Sequence, residues 1–185
     1  MAKCSICNSR KGKRKCMVDA TFICSLCCGQ TRTPDKCTGC SLYKDEASNR
    51  NYRKVPFFEI EVMADSFELQ EISNTVEALL CAFDLEADEF NDITAAKLLE
   101  LAFDKYHFKD AELRFANAAQ KDWFEKMSQV LEEELFHFSE EQRIKVLASV
   151  YRSLQRRTTG GREYLQFTQQ YVGPRVAPGV RILTR

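Results

Sequence analysis

Apolar positions fall on a helical period from Asp65 onward. Leu69, Ile72, Val76, Leu79, Leu80 and Phe83 recur at three- and four-residue steps and predict a first helix over about 66–83. Asp65 is its expected N-cap, with Glu68 as reciprocal partner. Ile93, Ala96, Leu99 and Phe103 predict a second helix over about 92–106. A long third, about 110–137, follows from one face carrying Leu113, Ala116, Gln120, Phe124, Met127, Leu131 and Leu135. Ser139-Glu-Glu-Gln142 reads as a capping box opening a fourth helix through about 155, with Ile144, Leu147, Tyr151 and Leu154 inward. Gly160-Gly161 breaks the chain before a fifth helix, about 163–172, which Gly173-Pro174 stops. Strand-like alternation is scarce and no internal repeat is present, so the expectation is an α-helical bundle of four to five helices.

The front of the chain follows a different rule. Eight of the nine cysteines lie between Cys4 and Cys40, in a stretch with few large apolar residues. So short a segment cannot bury enough surface to fold on apolar burial alone, and its cysteines must supply the staples. The expected fold class is mainly α: a small N-terminal module over 1–45, a connector over 46–64, a helical domain over 65–172 and an extended basic tail over 173–185. The run 44–51, which leads into the connector, is polar, Pro56 interrupts any helix, and Phe57, Phe58, Ile60 and Val62 are read as a short extended segment docking on the helical part.

Composition decides which staple is meant. The chain has 185 residues, 44% hydrophobic and 11% aromatic, which is globular rather than disordered. No apolar run approaches the roughly 18–20 residues that span a bilayer, and the N-terminus lacks a signal-peptide core. The expectation is a soluble, cytoplasmic protein with no membrane partner. A reducing cytosol keeps thiols free, so Cys-x2-Cys spacings point to zinc more than to disulfides. Net charge is zero but unevenly spread: residues 1–54 carry 12 Lys+Arg against 4 Asp+Glu, residues 55–151 carry 8 against 22, and residues 152–185 carry 7 against 1. The basic ends are expected either to dock on acidic surface of the same chain or to meet an external anion.

A Cys-x2-Cys turn holds two thiolates about a metal's width apart, so each pair supplies half of a tetrahedral site. Cys4/Cys7, Cys24/Cys27 and Cys37/Cys40 are three such halves. The fourth contains Cys16, completed either by Cys28 or by Asp19, which stands at the same x2 spacing. Cys28 is the preferred ligand, since a thiol beside a metal site would otherwise stand idle. The expected metal ligands are therefore Cys4, Cys7, Cys16, Cys24, Cys27, Cys28, Cys37 and Cys40, holding two zinc ions.

The spacing of these residues, with the segment Phe22-Ile23-Cys24-Ser25-Leu26-Cys27, resembles the cross-brace zinc fingers of the B-box, HIT and MYND families. In those families the first and third pairs share one zinc and the second and fourth share the other. Here that implies Cys4, Cys7, Cys24 and Cys27 at one site, and Cys16, Cys37, Cys40 and either Cys28 or Asp19 at the second. The chain departs from the families in closing with Cys-x2-Cys where they usually bring in His, and in carrying the vicinal Cys27-Cys28. The clusters at 4–14 and 27–32 also resemble a group of uncharacterised bacterial proteins, a likeness that implies no activity. The resemblance does not extend to the helical remainder.

Closed Cys4 sites leave no open position for water, so the metals are expected to be structural and the protein not an enzyme. No catalytic residue stands out: His107 and His137 lie near predicted helix ends, Asp84, Glu86, Asp88 and Glu89 read as a solvated acidic loop, and Glu132–Glu134 as an exposed helical face. Cys81 reads as a buried structural thiol. Arg10-Lys11-Gly12-Lys13-Arg14-Lys15 suits phosphate or nearby thiolates, and contains no aromatic for base stacking. The run 156–162, with Arg175, Arg181 and Arg185, offers an anion site at the start of the fifth helix but lacks P-loop spacing. The expected function is an adaptor or regulatory protein binding another protein. Nucleic-acid binding through 10–15 and the basic tail is the alternative, and a thiol redox sensor a weaker one.

Overall fold

A computed structural model describes residues 3–37, 40–43 and 50–183. The polar run 44–49 and Arg185 lie outside the described residues. The chain is mainly helical and divides into two compact units, Met1–Arg50 and Asn51–Arg185.

The first unit begins with a turn through Cys4 and Cys7, closed by Asn8 N–H donating to the Cys4 carbonyl at 2.9 Å. Asn8 takes a left-handed conformation (φ 50°), which Asn tolerates at a tight turn. Strands β1 (Arg14–Lys15) and β2 (Phe22–Ile23) pair antiparallel, Arg14 opposite Ile23 and Lys15 opposite Phe22. Helix α1 (Ser25–Gln30) follows at once, with Cys24 as its N-cap, and α2 (Pro34–Cys37) is a single turn. Among the described residues the buried core here is Cys4, Ile23, Cys24 and Cys27, of which only one is an aliphatic residue.

The second unit opens with a 3₁₀ turn, Tyr52–Lys54, then α3 (Ile60–Ala64) and α4 (Phe67–Glu86). All six residues that predicted the first long helix are buried, Ile72 and Leu80 completely. Its N-cap is Ser66, whose hydroxyl accepts from Leu69 N–H at 3.3 Å, and Asp65 instead closes α3. Helix α5 (Asp92–Ala102) continues as a π-turn, Phe103–His107. Ile93 is 54% exposed, contrary to the sequence expectation, because the buried side of α5 runs through Ala95, Leu98, Leu99 and Ala102.

Helix α6 (Ala118–Gln129) also ends in a π-turn, Val130–Glu134. It starts later than its apolar period suggests. Lys109 is left-handed (φ 59°), and Asn117 caps the helix by accepting from Gln120 N–H at 2.8 Å. Leu113 and Phe115 pack on the core from the non-helical stretch between, Phe115 meeting Phe124 at 5.6 Å between ring centroids. Helix α7 (Glu140–Arg157) carries the capping box expected of Ser139 and Gln142, and α8 is Glu163–Tyr171.

Beyond α8 the described chain, through residue 183, turns back as a hairpin. Strands β3 (Arg175–Ala177) and β4 (Val180–Arg181) form a hairpin, β3 lies against α4, and Arg175 pairs with Glu134. Gly173 makes this return possible: at φ 72° it ends α8 left-handed, and a Cβ there would sit 2.0 Å from the Ile182 carbonyl oxygen. Gly173→Ala should therefore cost at least about 1 kcal/mol and loosen the hairpin, visible as a lower melting temperature and faster proteolysis after residue 172. A cleavage pattern identical to wild type would refute the assignment.

No helix of the described residues is long and apolar enough to cross a membrane.

Candidate metal centre

Cys4 and Cys7 sit at the ends of the first turn, and Cys24 and Cys27 at the cap and first turn of α1. The β1–β2 ribbon joins the two: Ser5 N–H donates to the Phe22 carbonyl at 3.0 Å, and Lys13 N–H to the Ile23 carbonyl at 3.0 Å. Gly12 permits that closeness, since a Cβ would lie 2.7 Å from the Phe22 carbonyl oxygen. The result brings one ligand atom from each of Cys4, Cys7, Cys24 and Cys27 within 4.8 Å of the others, with Cys7 and Cys24 sulfurs 4.0 Å apart. Metal–sulfur bonds of about 2.3 Å in a tetrahedron separate the sulfurs by roughly 3.8 Å, so this donor set fits a metal ion.

The electrostatics favour a cation there. Backbone N–H of Ser9, then that of Arg10 and the Ser9 hydroxyl, pull Cys7 down to about 6. The Cys7 N–H, against burial and with help from Cys24 and Ile6, lowers Cys4. Hydrogen bonding to the Cys24 thiol, followed by burial and the Cys7 and Cys4 thiols, drives Cys27 up to about 12. Some thiols thus ionise readily while their crowding resists full ionisation. A divalent ion reverses that resistance, because each thiolate then neutralises its charge.

The other expected ligands are not drawn together in this way. Cys16, Cys28, Cys37 and Cys40 line one cavity of about 250 Å³ with Asp19, but among the described residues only Cys4, Cys7, Cys24 and Cys27 converge as a ligand group. Asp19 Oδ1 accepts from Thr21 N–H at 3.1 Å and from the Thr21 hydroxyl at 2.9 Å, the largest causes of its lowered pKa. Cys28 faces Arg32, whose Nη2 lies 3.9 Å from its sulfur. Burial raises Cys28, yet Arg14 and Arg32 together leave it lowered. Cys81 is fully buried in α4, and burial pushes its thiol up to about 12.

The proposed anion site at the start of α8 is filled by the protein's own carboxylates. Asp92, fully buried, accepts from Tyr164 N–H at 3.0 Å and Leu165 N–H at 3.1 Å. Glu163 accepts from the Thr159 hydroxyl and, at 3.2 Å each, from the N–H groups of Thr159 and Gly161. Those bonds, the Thr159 hydroxyl's first, hold it down at about 2. Asp84 is likewise no part of a solvated loop. It is 8% exposed, paired with Arg162 at 3.3 Å and hydrogen-bonded by Gln169 at 2.7 Å, and burial raises its pKa despite Arg162. Sequence reasoning missed Asp92 and Asp84 because their partners lie more than 70 residues away. His107 meets Phe108 edge-on, His137 lies tilted against Phe138 with ring centroids 4.0 Å apart, and His137 also reaches Glu71 at 3.8 Å.

No family model, no curated protein and no solved structure matches this chain.

Proposed function

We propose that this protein is a zinc-stapled adaptor, whose N-terminal cross-brace module holds two structural zinc ions and whose task is to dock on another protein. The observation that carries the proposal is the convergence of the first and third Cys-x2-Cys pairs, with Cys16 skipped between them. Interleaving of that kind is what the resemblance to B-box, HIT and MYND fingers implies. It leaves the fourth pair and Cys16 for a second ion, and their common cavity supports this. Cys28 is the preferred fourth ligand, because one Asp19 oxygen is already committed to Thr21. Zinc suits all-thiolate tetrahedral sites, and such closed sites stabilise a fold rather than activate water.

A protein partner is favoured by what the module displays. Ile6, Met17, Val18, Phe22 and Leu26 are each about half exposed, a large apolar share for so small a unit. Nucleic-acid binding keeps loop 10–15 in its favour but finds part of the C-terminal charge already paired and other arginines already in contact with the protein. Arg162 is tied to Asp84, Arg175 to Glu134 and Arg181 to the Val172 carbonyl, while Arg157 lies 3.5 Å over the Phe167 ring. Labelled single- and double-stranded nucleic acid titrated at several salt concentrations decides between the two readings. The adaptor reading expects no specific binding even at about 50 mM salt, whereas micromolar affinity falling steeply with salt would replace it with the nucleic-acid one.

A further inference from the structure

The helical unit contains a cavity of about 430 Å³ within the range of small-molecule sites, between α3, α4 and α7. Two polar faces meet there where a bundle would ordinarily bury apolar side chains. Helix α4 contributes Ser73, Asn74 and Glu77, at one-turn spacing, and α7 contributes Ser153 and Arg156.

These groups divide by whether they already have partners. Ser149 is spent on shape: its hydroxyl bonds the Phe58 backbone and the Lys145 carbonyl. Gln70 donates to the Ala64 carbonyl at 2.6 Å, while Arg152 donates to the Arg53 carbonyl and stacks 3.6 Å over Phe57. Among the described residues the side chains of Asn74, Ser153 and Arg156 make no hydrogen bond or ion pair. Glu77 is half-buried and oriented rather than consumed. Its Oε1 accepts from the buried Tyr164 hydroxyl and its Oε2 from Ser73 Oγ at 3.2 Å. A carboxylate has about four lone-pair sites, so capacity remains for a donor in the cavity.

We propose that this cavity binds a small zwitterion of the free α-amino-acid class with an apolar side chain, its ammonium on Glu77 and its carboxylate on Arg156. Asn74 and Ser153 add hydrogen bonds, and the side chain lies against Phe58, Ile60 and Met63. A simple anion would meet Glu77 with Glu59 and Glu61 at the rim, and a simple cation would leave Arg156 unanswered. An uncharged apolar ligand would desolvate both charges without pairing either. The site lies wholly within residues 57–156 and is independent of the metal module.

Amide-resolved NMR and calorimetric titration of the full metal-loaded chain test this with L-leucine and L-phenylalanine. The comparison ligands are 3-methylbutylamine, which lacks the carboxylate, and 4-methylpentanoate, which lacks the amine. Saturable shifts are expected around residues 73–77 and 153–156, with the amino acid at least about tenfold tighter than either single-charge analogue. Arg156→Met, at an exposed position, should weaken the amino acid about tenfold and leave the amine unaffected, with an unchanged melting temperature. Glu77→Gln should weaken both the amino acid and the amine, and if it also lowers the melting temperature, the arginine variant and the ligand pair decide alone. No saturable shift by about 20 mM of either amino acid overturns the proposal, as does equal affinity for the amine or indifference to Arg156→Met.

Discussion

Chelating the metal from the full chain is expected to melt residues 3–43 and leave the melting transition of the helical unit where it was. Among the described residues the core of the first unit holds one aliphatic side chain, Ile23, and three cysteines. A buried isoleucine contributes about 1.5–3 kcal/mol, whereas structural zinc sites of this type supply on the order of 10 kcal/mol or more. On the proposed zinc-bound reading the ion is the dominant stabiliser, and without it the thiols keep only their hydrogen bonds to one another and to nearby backbone and hydroxyl groups. Cys24→Ser should reproduce the effect on the first site. Native mass spectrometry should then find at least one ion fewer per chain than the two expected of wild type. Amide signals from 3–43 should collapse while those of α4 to α8 persist, because the helical core is built from residues after 54. Unshifted N-terminal signals in excess chelator would remove the metal from the account altogether.

Asp92→Ala is the substitution expected to damage the helical unit most for its size. The carboxylate is fully buried and accepts two backbone N–H groups at the start of α8, one on each oxygen. Deleting it leaves two buried donors without partners, each costing about 1–3 kcal/mol, so a total of roughly 3–4 kcal/mol is expected. For a unit of this length that lowers the melting temperature by roughly 10 °C. Asp92→Asn keeps an acceptor and should fall between. Glu163→Gln, at the solvent-facing side of the same turn, should cost far less. Equal melting temperatures for Asp92→Ala and Glu163→Gln would show that burial of Asp92 carries no such weight.

What could be read in advance was what depends on neighbours in sequence. The stripe Leu69 to Phe83 and the Ser139–Gln142 box are written within a few residues of one another, and the Cys-x2-Cys turns are equally local. The start of α6 was not legible, because Leu113 and Phe115 keep an apolar rhythm while Lys109 and Asn117 interrupt the helix around them. Asp65 and Ser66 both suit an N-cap, and only the chain's path out of α3 selects Ser66. The polar interior was hidden for a different reason. Glu77, Asp84 and Asp92 look like surface acids until Tyr164, Gln169 and the α8 backbone arrive from the far end of the sequence. Likewise, spacing alone announces metal-binding halves but not that Cys7 will stand beside Cys24.

The two π-turns bear on how this protein can change length. Dropping one residue from an α-helix swings everything beyond it by about 100°, which normally ruins the packing downstream. A π-turn already holds one residue more than an α-turn, so losing one there relaxes it to the ordinary pitch and keeps later side chains in phase. Among the described residues, segments 103–107 and 130–134 are therefore the two addresses at which single-residue deletions are structurally quiet. What they would forfeit is the meeting of Lys105 and Tyr106 with Glu132, at 2.8 and 2.7 Å, which joins one bulge to the other.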